Sequence, residues 1–186
     1  MNFHKGNWRY VVTIPTLGIA IKFGRISLIG AICDTCKVLS SKNRGLRRIF
    51  FIGAKTEQIK FLPDLLFGGI KRNWSEFCFY LCVRHKFCQP TYFSLFGLIN
   101  IQKYGSHCPV SDFISWEALW SICKDEIIAD HHHFRNADNF TISGGTIKIF
   151  DYSSRYTQKI IKKFGDDIVL QFATEYAKKS ASRPAP

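Results

Sequence analysis

Acidic residues are scarce in this chain. Only 14 Asp and Glu stand against 26 Lys and Arg, which leaves a formal charge of +12 over 186 residues. The shortage builds a field that attracts polyanions: nucleotides, nucleic acid, anionic headgroups or acidic proteins. A solvated surface that keeps the chain soluble accounts for the same charge, so charge selects a class of partner and no reaction. Long apolar runs are also missing. Lys22 and Arg25 interrupt the N-terminal stretches, and Ile26 to Cys33 is too short to span a bilayer. The chain is therefore expected to carry no transmembrane segment and no secretory signal. A second CxxC is absent: Cys33-x-x-Cys36 stands alone, and Cys108 and Cys123 do not complete a zinc-ribbon spacing. Seven cysteines cannot all pair within the chain, and Cys78, Cys82, Cys88 and Cys123 sit among apolar neighbours, where a reduced thiol acts as a small hydrophobe. That favours a reducing compartment, and a cytoplasmic location is expected. No internal repeat or low-complexity tract is found.

What the chain does have is apolar material. Hydrophobic residues reach 46% and Phe alone numbers 17, enough for a packed core and too much for a disordered chain. The length fits one domain or two small lobes sharing an interface. Strands are predicted over Arg9 to Ile14 and Gly18 to Ile21, broken at Pro15, and again over Arg48 to Ile52. Ser40 to Arg48 and Leu62 to Gly69 read as loops. Apolar residues at helical spacing over Asn73 to Val83 predict an amphipathic helix capped near Asn73. Two strands follow, Thr91 to Gly97 and Leu98 to Gln102, and Gly105 to Pro109 is the expected lobe boundary. A helix is predicted from Ser115 to about Ala129, with Ser-Trp-Glu-Ala as cap and acidic first turn. Phe140 to Ile142 and Thr146 to Phe150 flank Ser143-Gly144-Gly145 as a hairpin. Gln158 to Lys163 and Asp167 to Lys179 are predicted as two helices separated by Gly165. The order is α+β with the β-rich part first.

One segment carries chemistry. His131-His132-His133-Phe134-Arg135-Asn136 precedes the hairpin, which ends in Lys148-Ile149-Phe150-Asp151-Tyr152. This resembles the end of the catalytic loop and the start of the activation segment in the protein-kinase-like superfamily, where His-x-x-Asn precedes a short hairpin that delivers a metal-binding Asp. The resemblance implies a minimal, degenerate kinase or pseudokinase: a β-rich N-lobe over 1–105, a reduced helical C-lobe over 106–179 and a tail over 180–186. It implies ATP and Mg²⁺ as cofactors, with Asn136 and Asp151 as metal ligands, since phosphoryl transfer needs a divalent ion held by oxygen ligands. The family's base Asp stands five residues before the Asn, a place that His131 occupies here, with Asp130 one position earlier. Either would be the base.

Upstream, Gly18-Ile19-Ala20-Ile21-Lys22 resembles the strand that carries the phosphate-binding Lys of that family, whose partner is a helical Glu. Glu76 in Asn73-Trp74-Ser75-Glu76 fits that role, and Lys60 is the substitute for Lys22. No glycine-rich phosphate loop precedes Lys22, Gly6 being isolated. The function implied is a kinase-like protein that binds Mg-ATP and transfers phosphate to a protein or small hydroxyl acceptor. The alternatives are a catalytically inactive module that binds a protein partner, and a basic nucleic-acid-binding protein. The small size and these departures also suit a secreted effector or phage protein acting in a host cytoplasm.

The bland readings are equally concrete. Three adjacent histidines point in different directions on regular structure, so a zinc site there is not the expectation. Tyr92, Phe93, Phe96 and Tyr104 would stack on bases in a nucleic-acid module, but in a kinase-like small lobe they are sheet core. Asn73-Trp-Ser75 and Asn139-Phe-Thr141 match glycosylation sequons.

Overall fold

The structure is a computed structural model that describes residues 1–6, 8–26, 28–41, 45, 62–107, 116–136 and 139–181. The predicted strand at Arg48 to Ile52, Lys60, Cys108 and the Ser115 cap lie outside the described residues.

The chain is α+β. Strands β1 (Asn2–Lys5), β2 (Arg9–Ile14) and β3 (Ile19–Gly24) form an antiparallel meander. A 3₁₀ turn, Pro15–Leu17, joins β2 to β3 and ends on Gly18, whose φ of 62° is the left-handed conformation that glycine adopts without strain. Helices α1 (Leu28–Ser40) and α2 (Leu62–Val83) follow, then β4 (Thr91–Leu95) and β5 (Ile99–Lys103). The sheet order is β1-β2-β3-β5-β4, all antiparallel, with α2 packed across β3, β4 and β5. A second sheet, β6 (Ser106–His107), β7 (Phe140–Ser143) and β8 (Thr146–Ile149), starts three residues after β5 ends. Around it lie α3 (Trp116–Cys123), a 3₁₀ segment (Lys124–Asp130), α4 (His131–Arg135) and α5 (Arg155–Ala181). Among the described residues no helix is long and apolar enough to cross a membrane.

Two glycine-based expectations are corrected. Leu62 to Gly69 is the first part of α2 and not a loop, and Asn73 lies in mid-helix and not at a cap. The reason for Gly69 is packing: a Cβ there would overlap the backbone oxygen of Trp8 and sit 2.5 Å from the Arg25 nitrogen. Glycine lets the helix backbone approach the segments that flank β2 and β3 directly. Likewise Gly165 does not divide two helices. It lies inside α5, buried beneath His85, whose ring carbon Cε1 would be 2.5 Å from an added Cβ. The predicted helix from Ser115 is α for its first part only and tightens to 3₁₀ from Lys124.

The main apolar core lies between α5, α3, the β7–β8 hairpin and the C-terminal end of α2, with Phe79, Phe87, Leu119, Phe140, Tyr152 and Phe172 buried in it. Cys88 and Cys123 belong to it as small hydrophobes, and burial pushes both thiols up to about 12. The five-stranded sheet behaves differently. Along β3, Ala20 and Lys22 are buried while Ile19, Ile21 and Phe23 are only half so, because alternate side chains share a face. The same inner face carries Arg9 and Thr13 from β2 and Asn100 and Gln102 from β5, all buried. Polar groups thus line the face toward α2, where Arg9 and Lys22 bond to Glu76 and Asn100 donates to the Asn73 carbonyl. The reading of Tyr92, Phe93 and Phe96 as sheet core is corrected by the same inversion: they are 58%, 49% and 75% exposed.

Candidate functional site

Lys22 reaches the interior because its strand alternation aims it at α2. There Gly69, Asn73 and Glu76 share the buried helix face, the spacing of three and four that stacks side chains on one side. Asn73 clamps the two elements together. Its amide donates to the carbonyls of Lys22 (3.2 Å) and Gly97 (3.0 Å), and its own carbonyl accepts from Asn100 Nδ2 at 2.7 Å. An asparagine so buried is no acceptor for a glycan.

One helical turn on, Glu76 receives two cations. Lys22 Nζ lies 2.7 Å from Oε1 and Arg9 lies 2.8 Å from Oε2. Lys22 also donates to the carbonyl of Phe150 at 2.6 Å and sits 4.0 Å from the centre of that ring. Burial pushes the Lys22 ammonium down to about 8, with Glu76 opposing and Arg9 adding to the fall. Arg9 continues to Asp151, whose Oδ2 is 2.5 Å away. Burial alone would raise the Asp151 carboxyl, but Arg9, then Lys22, hold it well below the usual range. The other oxygen, Oδ1, accepts from the hydroxyl of Ser153 at 2.9 Å and from its backbone N–H at 3.3 Å.

Across the cleft, α4 presents the histidines. His133 is buried and donates from Nδ1 to Asp130 at 2.7 Å, while its Nε2 lies 3.9 Å from Asp151 Oδ2. Asp130 is buried too, its second oxygen taken by the Thr157 hydroxyl. Burial would raise its carboxyl, but the bonds from His133 and Thr157 lower it. His132 lies at the cleft surface with Nε2 3.7 Å from Asp130, and burial with the neighbouring His133 depresses its pKa. These walls enclose a cavity of about 720 Å³ lined by Lys5, Arg9, Lys22, Arg72, His133 and Asp151, with Asn136 and Asn139 at its edge.

The sequence-predicted residues are thus distributed unevenly. Lys22, Glu76 and Asp151 belong to one buried network. Asn136 is exposed on the cavity wall. His131 is exposed, bonded at 3.1 Å to the Ile128 carbonyl and not part of the wall. Asp130 stands behind His133, without a free oxygen for a substrate. Three further residues belong to the site. Arg9 carried no signal beyond its place at the start of a strand. His133 was read as a loop residue before the Asn. Asn139 lines the cavity, donates from its side chain to the His133 carbonyl at 3.0 Å and accepts from Phe150 N–H at 2.6 Å. Its signal was its position, immediately before the first hairpin strand.

The expected Mg²⁺ pair, Asn136 and Asp151, does not fit a divalent ion as arranged. A hard cation needs carboxylate oxygens free to ligate, and both oxygens of Asp151 are committed, one to a guanidinium. Asp130, His132 and His133 bring three ligand atoms within 4.8 Å of one another, but a metal there would displace the bonds from His133 and Thr157.

Comparison with protein-family models, curated proteins and solved structures finds no match to this chain.

Proposed function

We propose that this is a two-lobed, kinase-like nucleotide-binding domain, with a β-rich lobe over 1–105, a helical lobe over 106–179, and ATP held in the cleft between them by its phosphates. The observation that carries the reading is the Lys22–Glu76 pair, 2.7 Å long, set at the wall of a basic cavity that also receives Asp151 from behind the hairpin. Glu76 orients Lys22; Lys22 and the basic wall attract the phosphates. Among the described residues, four formally cationic side chains line the cavity, Lys5, Arg9, Lys22 and Arg72, against one carboxylate, Asp151. Such a wall focuses a polyanion field.

A second reading, phosphoryl transfer to a hydroxyl acceptor, is favoured by one feature. His133 turns Nε2 toward the cleft with Asp130 bonded behind it at 2.7 Å, the arrangement that orients an imidazole as a proton acceptor. In that reading His133 takes the acceptor's proton and Asp130 positions the ring.

Calorimetric titration with ATP tests the binding function. Saturable binding is expected, together with thermal stabilisation, and both are sharply weakened in Lys22→Met when circular dichroism shows that variant folded. No heat and no stabilisation at millimolar ATP would remove the reading. Incorporation of labelled phosphate that survives His133→Ala would remove the second.

A further inference from the structure

We propose that Arg9 is the resident cation of this site, so that the nucleotide binds without a divalent metal. The inference rests on the nucleotide-binding reading and specifies how that site balances charge. Asp151 is the acid to which a metal would be expected to bind, and its Oδ2 is 2.5 Å from Arg9. This is no surface rotamer. Arg9 is 6% exposed, its backbone is held in register against Gly24 and its guanidinium is anchored at 2.8 Å on Glu76 and at 3.4 Å on Asn73.

The guanidinium is fixed by strand pairing on one side and by α2 on the other, and its fork spans the two acids of the network. An arginine has five N–H donors in one plane and stays charged. Among the described residues the guanidinium serves Asn73, Glu76 and Asp151, which leaves donors on a side chain that lines the cavity. It can therefore hold Asp151 and face a phosphate at once, the bridging role that a metal ion fills between a carboxylate and a phosphate. A divalent ion on Asp151 would instead lie beside Arg9, with Lys22 bound to the carbonyl of the preceding residue. Like charges at that range repel, and Ser153 occupies the other carboxylate oxygen.

The decisive comparison is ATP titration of the wild type in EDTA and in Mg²⁺, alongside Mn²⁺ titration without nucleotide followed by paramagnetic relaxation. The two ATP affinities are expected to agree within about threefold, and no Mn²⁺ site that depends on Asp151 is expected. A loss of about tenfold or more in EDTA overturns the inference and leaves the nucleotide reading intact. So does Mn²⁺ binding that Asp151→Asn abolishes. Absence of ATP binding in both buffers overturns both. Arg9→Gln supplies the converse: weaker binding that Mg²⁺ restores is expected, and a folded variant with unchanged, metal-independent affinity overturns the inference. Should Arg9→Gln fail to fold, the wild-type comparisons decide alone.

Discussion

Lys22 and Glu76, 54 residues apart in sequence, meet at 2.7 Å with both side chains almost wholly withdrawn from water. Their contributions to stability are unequal. Glu76 neutralises two cations, so removing its charge leaves Arg9 and Lys22 facing each other in a buried site. Lys22 is held there against its desolvation, as its depressed pKa of about 8 shows, and Glu76 keeps Arg9 when Lys22 is lost. Glu76→Gln is therefore expected to cost about 3–5 kcal/mol and Lys22→Met about 1–2 kcal/mol. Urea unfolding of the two variants measures this, and an equal or larger cost for Lys22→Met contradicts it.

Asp151 sets an acid limit to the fold. Its folded pKa lies below the ordinary 3.8, so the unfolded chain binds a proton first as pH falls. The stability it contributes is complete above about pH 5 and is lost progressively as pH drops through 3.8 toward the folded value. Asp130, lowered by His133 and Thr157 against its burial, acts in the same direction. Wild-type melting temperature should fall steeply below about pH 4. Asp151→Asn, less stable at neutral pH, should show a shallower acid limb. Parallel limbs in the two proteins would assign the acid sensitivity elsewhere.

The pairing of Lys22 with Glu76 was expected from the resemblance alone, since alternation along a strand and spacing along a helix are local rules that fix each residue's face but not its distant partner. The β7–β8 hairpin was legible because its turn signal is local, Gly144 and Gly145 both having positive φ. Gly69 and Gly165 misled because their role depends on residues distant in sequence, the Trp8 and Arg25 backbone and the His85 ring. Nothing local distinguishes a glycine that ends a helix from one that lets another chain segment approach. Arg9 was invisible for a related reason. Its two acids come from α2 and from beyond β8, and only the assembled fold brings them to one guanidinium. Counting along the chain offered His131 or Asp130 as the base, whereas the fold leaves His131 exposed, buries Asp130 behind His133 and puts His133 in the cavity wall.

Gly69→Ala separates helix propensity from packing. Within an isolated helix the change would stabilise by about 1 kcal/mol. Here the methyl would overlap the Trp8 carbonyl oxygen, which is backbone immediately before β2 and accepts from Arg25 N–H, so relief requires moving α2 away from it. The overlap wins, and a net loss of about 1–3 kcal/mol is expected. The shift would also stretch the Asn73 and Glu76 contacts that share this helix face. Chemical denaturation gives the sign directly, and a stabilised Gly69→Ala would mean that the helix does not sit this close to the Trp8 backbone.

Lys22 also sets a pH dependence for the ligand. With its ammonium lowered to about 8 by burial, the free protein loses this charge as pH rises through that value, while a bound phosphate would keep the proton on. Binding is then coupled to proton uptake, so ATP affinity should weaken as pH rises from about 7 to about 9.5, approaching tenfold per pH unit once Lys22 is neutral in the free protein. Arg9 stays charged throughout, since Asp151 and Glu76 outweigh its burial and hold its pKa above the ordinary value. Residual affinity at high pH is accordingly expected, carried by the guanidinium. Titrations of wild type and Lys22→Met across that range make the comparison: a fall in the wild type and a flat, weak profile in the variant. An equal slope in both would place the titrating group outside the Lys22 site.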